Sequence, residues 1–271
     1  IFQKSDRVVP IFNDKHLADN WKDAKWMYDT AVEMKIPMMA GSSLPVLWRY
    51  PPTDVRRDAR LEQIVALSYG GLDAYGFHAL EMVQCLAERR AGGETGVKAV
   101  QCFSGDEVWV AQRNGVFDRQ LLDQALLCLK QPIVTDRNVE DLPNPVLFVI
   151  DYEDGLRASV LHITTLETGW AAAWRYAQTQ ETDAALFWTQ GGRPFMHFTY
   201  LLQGIEKMMH TGKPTWPVER TLLTSGVLNA LLISRRDGGK EVKTPWLDVQ
   251  YQSDWNWQVP PPPPTGPIHE Q

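Results

Sequence analysis

Residues 20–41 read Asn20-Trp21-Lys22-Asp23-Ala24-Lys25-Trp26-Met27-Tyr28-Asp29-Thr30-Ala31-Val32-Glu33-Met34-Lys35-Ile36-Pro37-Met38-Met39-Ala40-Gly41, and this stretch decides the fold class. Asn20, with Asp23 three residues on, has the form of a helix N-cap with a reciprocal acid. Ala24, Met27, Tyr28, Ala31, Val32 and Met34 recur at helical spacing, which predicts a helix over 21–35 with one apolar face. Pro37 ends it. The short apolar run 36–40, closed by Gly41, suits a buried strand. Helix, short break, apolar strand and glycine together form the ending of an α/β unit with a parallel sheet.

Working outward, Pro45, Pro51, Pro52 and the charged run Asp54-Val55-Arg56-Arg57-Asp58 mark a crossing segment over 42–60. Strands are expected over 61–68, 97–103, 146–150, 156–165, 170–177 and 184–188, with Asp154-Gly155 as a hairpin turn. Helices are expected over 75–89, 121–129 (behind an Asp118 cap), 198–209 and 218–234; Gly92-Gly93, Gly212 and Gly238-Gly239 punctuate their ends. Pro260 to Pro264 predicts an extended polyproline segment without a core role. The expected architecture is therefore the end of a parallel α/β domain (1–41), then an α+β domain with a large, mostly antiparallel sheet and flanking helices (42–252), then a Pro-rich tail (253–271). The run 146–150 is apolar without alternation, so both sheet faces should be covered. Helices account for one face; the expectation is that a second subunit covers the other, giving a homo-oligomer through the sheet.

Composition narrows the class. The chain has 271 residues, 44% of them hydrophobic, and a formal net charge of −6. Eleven Trp, nine Phe and eight Tyr supply more burial than a disordered chain carries. The acidic balance argues against a nucleic-acid partner, and no run of about 18 apolar residues offers a membrane span. Cys85, Cys102 and Cys128 are too few and too scattered for a disulfide framework or a zinc site, and read as buried small hydrophobes. The chain opens without Met or a signal-peptide pattern, so it reads as a truncated chain, with any targeting signal before Ile1; the expected compartment is cytoplasmic.

Two stretches carry candidate chemistry. Asp14-Lys15-His16-Leu17 places a lysine at a sheet edge, where α/β folds receive their ligands; the plainer reading is a solvated surface lysine. Gly70-Gly71-Leu72-Asp73-Ala74-Tyr75-Gly76-Phe77-His78-Ala79-Leu80-Glu81 places His78 in the first turn of a helix, and imidazole is the side chain best suited to move a proton near neutral pH. Its plainer reading is a core histidine satisfied by a carbonyl. His78 and Glu81 both reach one helix face, yet two ligands without a third do not make a metal site, and no metal is expected. His162 and His197 lack a readable partner, and His210 suits a helix C-terminus. The scattered tryptophans fit a sugar-stacking site, a core or a subunit interface. There is no G-x-G-x-x-G, Walker loop, G-x-S-x-G or H-E-x-x-H.

The order of these pieces resembles the glucose–fructose oxidoreductase/inositol dehydrogenase (Gfo/Idh/MocA) family. Asp14-Lys15-His16-Leu17, a helix and Ile36-Pro37-Met38-Met39-Ala40-Gly41 are similar to the E-K-P-L, helix, V-P-x-x-V-G ending of its Rossmann-type nucleotide-binding domain. Gly76-Phe77-His78-Ala79-Leu80-Glu81 resembles its G-x-H-x-x-D motif, and Tyr152-Glu153-Asp154-Gly155 its F-x-N-G hairpin. The segment 205–211 with Gly212-Lys213-Pro214 and the helix after it resembles its closing helix, G-x-P, helix. The resemblance implies an oxidoreductase moving a hydride between NAD or NADP and a hydroxyl-bearing carbon of a sugar, polyol or cyclitol-like substrate, with the phosphate-binding loop lying before Ile1. Lys15 would stabilise alkoxide charge beside the nicotinamide, flanked by Asp14 and His16, and His78 would take the hydroxyl proton. Tyr75 is an alternative proton donor, and Arg49 and Asp73 are candidate substrate contacts. Ala74 stands where the family has an Asp four residues before its His, Asp14 and His16 replace the motif's Glu and Pro, and Ser42-Ser43-Leu44-Pro45 replaces an Asn-Arg-Arg-like stretch. Two alternatives stay open: a non-catalytic ligand-binding or scaffold homologue, and a redox-neutral NAD-using glycosidase.

Overall fold

A computed structural model describes residues 7–129, 138–163, 169–189 and 195–260. Strand β1 (Ile11–Asp14) and strand β2 (Met38–Gly41) pair in parallel, joined by helix α1 (Trp21–Glu33), so the α/β ending read from the sequence is a βαβ unit. The Asn20 side chain accepts the Asp23 N–H at 3.0 Å, while its amide donates to the Asp23 carboxylate at 2.8 Å. The helix stops earlier than its apolar periodicity predicts: Lys35 takes a φ of 53°, and the Ile36 N–H returns to the Ala31 carbonyl at 2.8 Å. β1 was not foreseen, because four residues with only two apolar side chains carry no strand period.

The large sheet has eight strands. In spatial order they are β11 (Val242–Lys243), β6 (Val97–Ser104), β7 (Val146–Tyr152), β8 (Arg157–His162), β4 (Leu61–Ser68), β9 (Trp170–Tyr176), β10 (Thr182–Trp188) and β3 (Trp48–Tyr50). Only β4 and β8 run parallel; every other neighbouring pair is antiparallel. A two-stranded ribbon joins β5 (Glu94–Thr95) to β12 (Gln250–Tyr251). The expected strand over 156–165 is observed over Arg157–His162, and 164–165 lie outside the described residues, as do 261–264 of the proline run.

Side chains alternate between two separate cores, as strand geometry requires. Phe148 and Ile150 of β7, Val160 of β8, and Trp170, Ala172 and Trp174 of β9 face a core shared with helices α2 (Ala74–Ala87) and α6 (Glu219–Arg236) and with the βαβ unit. Leu147, Val149, Leu161, Ala171 and Ala173 face the opposite way. That second face was expected to meet another subunit. Instead, helices α3 (Glu107–Arg113) and α4 (Arg119–Cys128) of the same chain lie on it, burying Trp109, Leu121, Leu122 and Ala125. Small Ala171 and Ala173 leave room for α4 to lie close to β9. The continuous apolar runs are thus explained within one chain, and the covering argument for a partner falls away. Among the described residues, no helix is long and apolar enough to cross a membrane.

The segment assigned to a Pro-rich tail packs against the body through residues 253–257. Helix α5 (His197–Thr211) and the loop after it flank one side of that segment. The Arg57 guanidinium donates to the carbonyls of Ser253 and Trp255 at 2.7 and 2.9 Å, and the Trp257 indole donates to the Leu47 carbonyl at 2.7 Å. Beneath it, Arg220 is buried with its guanidinium bidentate on Glu88, at 2.9 and 2.5 Å, and lies 5.2 Å from the centre of the Trp255 ring. Removing one partner of a sealed ion pair strands the other charge in the interior. Arg220→Met is therefore expected to cost about 3–5 kcal/mol of unfolding free energy by chemical denaturation; a loss below about 1 kcal/mol would show that the pair does not anchor this region.

Candidate active site

The site grows from the ends of β1 and β2. Gly41 closes β2 at a φ of 117°, and its carbonyl accepts the Lys15 N–H at 3.3 Å. A Cβ at Gly41 would collide with the Glu81 carboxylate and the Thr221 hydroxyl, so only glycine fits here on both conformational and steric grounds. Lys15 itself holds a φ of 74°, a left-handed backbone that costs a non-glycine residue about 1–3 kcal/mol and that clusters at functional positions. The turn is fixed by the Asn13 amide donating to the His16 carbonyl at 2.8 Å and by the Leu17 N–H donating to Ser225 Oγ at 3.0 Å. The half-exposed Lys15 ammonium bonds both Asp14 carboxylate oxygens, at 2.9 and 3.0 Å.

Helix α2 supplies the other half. The loop before it is tethered by His162, whose Nε2–H donates to the Gly70 carbonyl at 2.5 Å. His78 lies one turn into the helix, with Nδ1 2.7 Å from Ser42 Oγ. Its Nε2 makes no hydrogen bond among the described residues and is not sealed from solvent, so it is the ring atom open to a ligand. Around the imidazole stand Tyr75 (centroids 6.3 Å, edge-on), Phe77 (5.8 Å) and Trp170 (6.0 Å, edge-on). Tyr75 stacks on Trp170, and Tyr69 packs on both rings. His16 meets Phe77 edge-on at 5.5 Å.

Burial pushes the His78 pKa down to about 4, the nearby Lys15 charge adds to this, and Asp14 opposes it; His197 and His16 contribute further small downward effects. His78 is accordingly neutral at physiological pH. One turn along, the Glu81 carboxylate is buried and accepts from Thr224 Oγ at 2.7 Å, Thr221 Oγ at 3.1 Å and the Ser42 N–H at 3.3 Å. No group of three His, Cys, Asp or Glu side chains among the described residues is placed to hold a metal ion.

No sequence-family profile and no curated protein matches the chain. Solved structures do. GenD2 from gentamicin A biosynthesis, solved in complex with NAD, superposes with a TM-score of 0.57 at 12% identity, covering 86% of this chain and 71% of that one. A myo-inositol dehydrogenase from Corynebacterium glutamicum gives 0.55 at 12% identity, covering 89% and 74%. An NAD binding oxidoreductase from Klebsiella pneumoniae gives 0.50 at 13% identity, covering 86% and 72%. The chain has the Gfo/Idh/MocA dehydrogenase fold.

Of the residues expected to serve Gfo/Idh/MocA chemistry, Asp14, Lys15, His16 and Tyr75 are gathered around His78. Arg49 is not. It is sealed inside, paired with Asp54 at 2.5 Å and sandwiched between the Phe187 and Trp257 rings at 4.8 and 4.7 Å, so its charge is already spent on holding β3 and the C-terminal segment. A short edge strand carrying a polar residue gave no sign of that burial. Asp73 is exposed at the start of α2 and bonds neither Lys15 nor His78 among the described residues. Ser42, Trp170, Tyr69 and His197 were missed as site residues. Only Ser42 had a signal, its place directly after Gly41; the others arrive from distant elements.

The two charges beside His78 act in opposite directions, which gives a paired check by proton NMR titration. Lys15→Met is expected to raise the His78 pKa from about 4, and Asp14→Asn to lower it. Equal shifts of the same sign would refute this arrangement.

Proposed function

We propose that this protein is a nicotinamide-dependent oxidoreductase of the Gfo/Idh/MocA family, acting on a hydroxyl-bearing carbon of a sugar, polyol or cyclitol-like substrate. The observation that carries this reading is that Lys15, in its strained left-handed turn at the carboxyl end of β1, lies near enough to act on the charge of His78, whose Nε2 is open. The carboxyl edge of a parallel strand pair is where open α/β sheets receive dinucleotides. Here β1 ends at Asp14, directly before Lys15, and β2 ends at Gly41. The donor set fits the nicotinamide end of such a cofactor: a half-exposed ammonium for carboxamide or ribose oxygens. Bound NAD or NADP supplies or accepts the hydride.

The chain's own residues do the rest. The Lys15 ammonium lowers the energy of negative charge on the substrate oxygen, a contribution that grows in a site partly shielded from water. His78 handles the hydroxyl proton at Nε2, the neutral imidazole being the form that accepts one. Tyr75, 38% exposed against Trp170, lines the approach with an aromatic wall and a hydroxyl. The substrate class is supported by the presence of a myo-inositol dehydrogenase among the structural neighbours.

One observation favours a second reading, a ligand-binding homologue without turnover: Ala74 stands where the family's pattern has an Asp, and Asp73 does not replace it. Calorimetric titration of the full-length gene product with NADH and NADPH, followed by turnover on a panel of polyols, separates the two. The dehydrogenase reading expects nucleotide binding, a fall in kcat of about 10²–10³-fold in Lys15→Ala, and one of about 10²–10⁴-fold in His78→Ala. Ligand binding without turnover, indifferent to His78→Ala, would establish the second reading. Failure to bind either nucleotide would falsify the first.

A further inference from the structure

The hydrogen-bond inventory of Ser42 constrains His78 more tightly than proximity alone. Ser42 is buried, 3% exposed, and its Oγ accepts the Leu44 N–H at 3.0 Å and lies 2.7 Å from His78 Nδ1. Its own N–H donates to Glu81, which in turn is held by Thr221 and Thr224, so the serine backbone is fixed from below. A hydroxyl has one proton to give. Among the described residues, Ser42 has no hydrogen-bond acceptor for that proton other than Nδ1. If Nδ1 instead carried the ring proton and donated to Oγ, the hydroxyl proton would be buried without a partner, which is costly.

We propose that Ser42 is a positioning residue that stores the proton of neutral His78 on Nε2, so that the resting site presents a hydrogen-bond donor to the substrate oxygen. An acceptor-only oxygen, that of a ketone or aldehyde, matches this state directly. For His78 to receive a proton from an alcohol, Nε2 must first be vacated: solvent takes the Nε2 proton and returns one to Nδ1, so the ring stays neutral, and the Ser42 hydroxyl turns away. The resting enzyme is thereby set for the carbonyl partner of its redox couple. This last step rests on the dehydrogenase reading; the tautomer assignment does not.

Among the described residues, the charged and titratable groups facing His78 are Lys15, Asp14 and His16 from the end of β1, His197 from α5, and Tyr75 from its own helix. None of them is a hydrogen-bond partner of Nδ1, so the choice between tautomers falls to Ser42.

The test is a long-range proton–nitrogen correlation spectrum of the ¹⁵N-histidine-labelled protein near pH 7, with the His78 signals identified by their loss in His78→Gln. The expected result is a protonated Nε2 and an unprotonated Nδ1 in the wild type. In Ser42→Ala the ratio of the two tautomers should shift toward Nδ1–H by about tenfold, the consequence of removing one buried hydrogen bond. Unchanged signals from His162 and His210 mark a folded variant. A wild-type spectrum with the proton on Nδ1 overturns the proposal without any variant, as does a Ser42→Ala spectrum with an unchanged ratio. The expected spectra in a protein that binds no nicotinamide nucleotide would support the assignment while removing the dehydrogenase reading, so the two fail separately.

Discussion

A single carboxylate, sealed in the interior, organises the meeting of strand, helix and site. Glu81 leaves water and is compensated by two threonine hydroxyls from α6, by the Ser42 N–H, and by the charge of Arg220. Burial alone raises its pKa, and these partners oppose that rise. Because the three hydrogen bonds come from two different segments, the carboxylate fixes α2 against α6 and both against the end of β2. Gly41 is obligatory as a result, since any side chain there would occupy the space of the carboxylate. Lys15 and His78 inherit their separation from this point: one is bonded to the Gly41 carbonyl, the other to the Ser42 hydroxyl.

The large sheet plays the complementary role of a rigid wall. Trp170 faces the same core as α2, so the ring that stacks on Tyr75 is anchored in a strand buried on both sides. A site built on buried strand and helix residues is held more closely than one built on loops alone. Rigidity on this side contrasts with the other half of the site, where Lys15 reaches its position through a short, strained turn.

How much of this was legible in the sequence follows from the range of the interactions involved. Local signals read well: the Asn20 cap, the Asp118 cap, whose carboxylate accepts the Gln120 and Leu121 N–H groups, and strand β4 found over 61–68 as its pattern predicts. Lys15, His78 and Tyr75 could be named because each sits in a local pattern, beside a strand end or in a helix first turn. The errors came from long-range burial. Arg49 looked like a free cation because nothing nearby in sequence announces Phe187 or Trp257, which enclose it. The second sheet face looked open to a partner because α3, short and irregular in pattern, was not recognised as a cover. Ser42 was read as a departure from a family pattern, when its hydroxyl supplies a contact to the imidazole.

The clamp on residues 253–257 has a temporal consequence. Arg57 bonds Ser253, Trp255 and Asn256, and Arg89 bonds Asn256, across separations of 167 to 199 residues. Contacts this distant in sequence must pay their loop-closure entropy before they return any stability. During synthesis, the Arg57 guanidinium emerges long before the Ser253 and Trp255 carbonyls that it bonds. Until the ribosome has released that segment, Arg57 lacks these carbonyls, whereas Arg49 and Arg89 already have Asp54. A segment translated late therefore finishes β3, the first strand of the large sheet to be made.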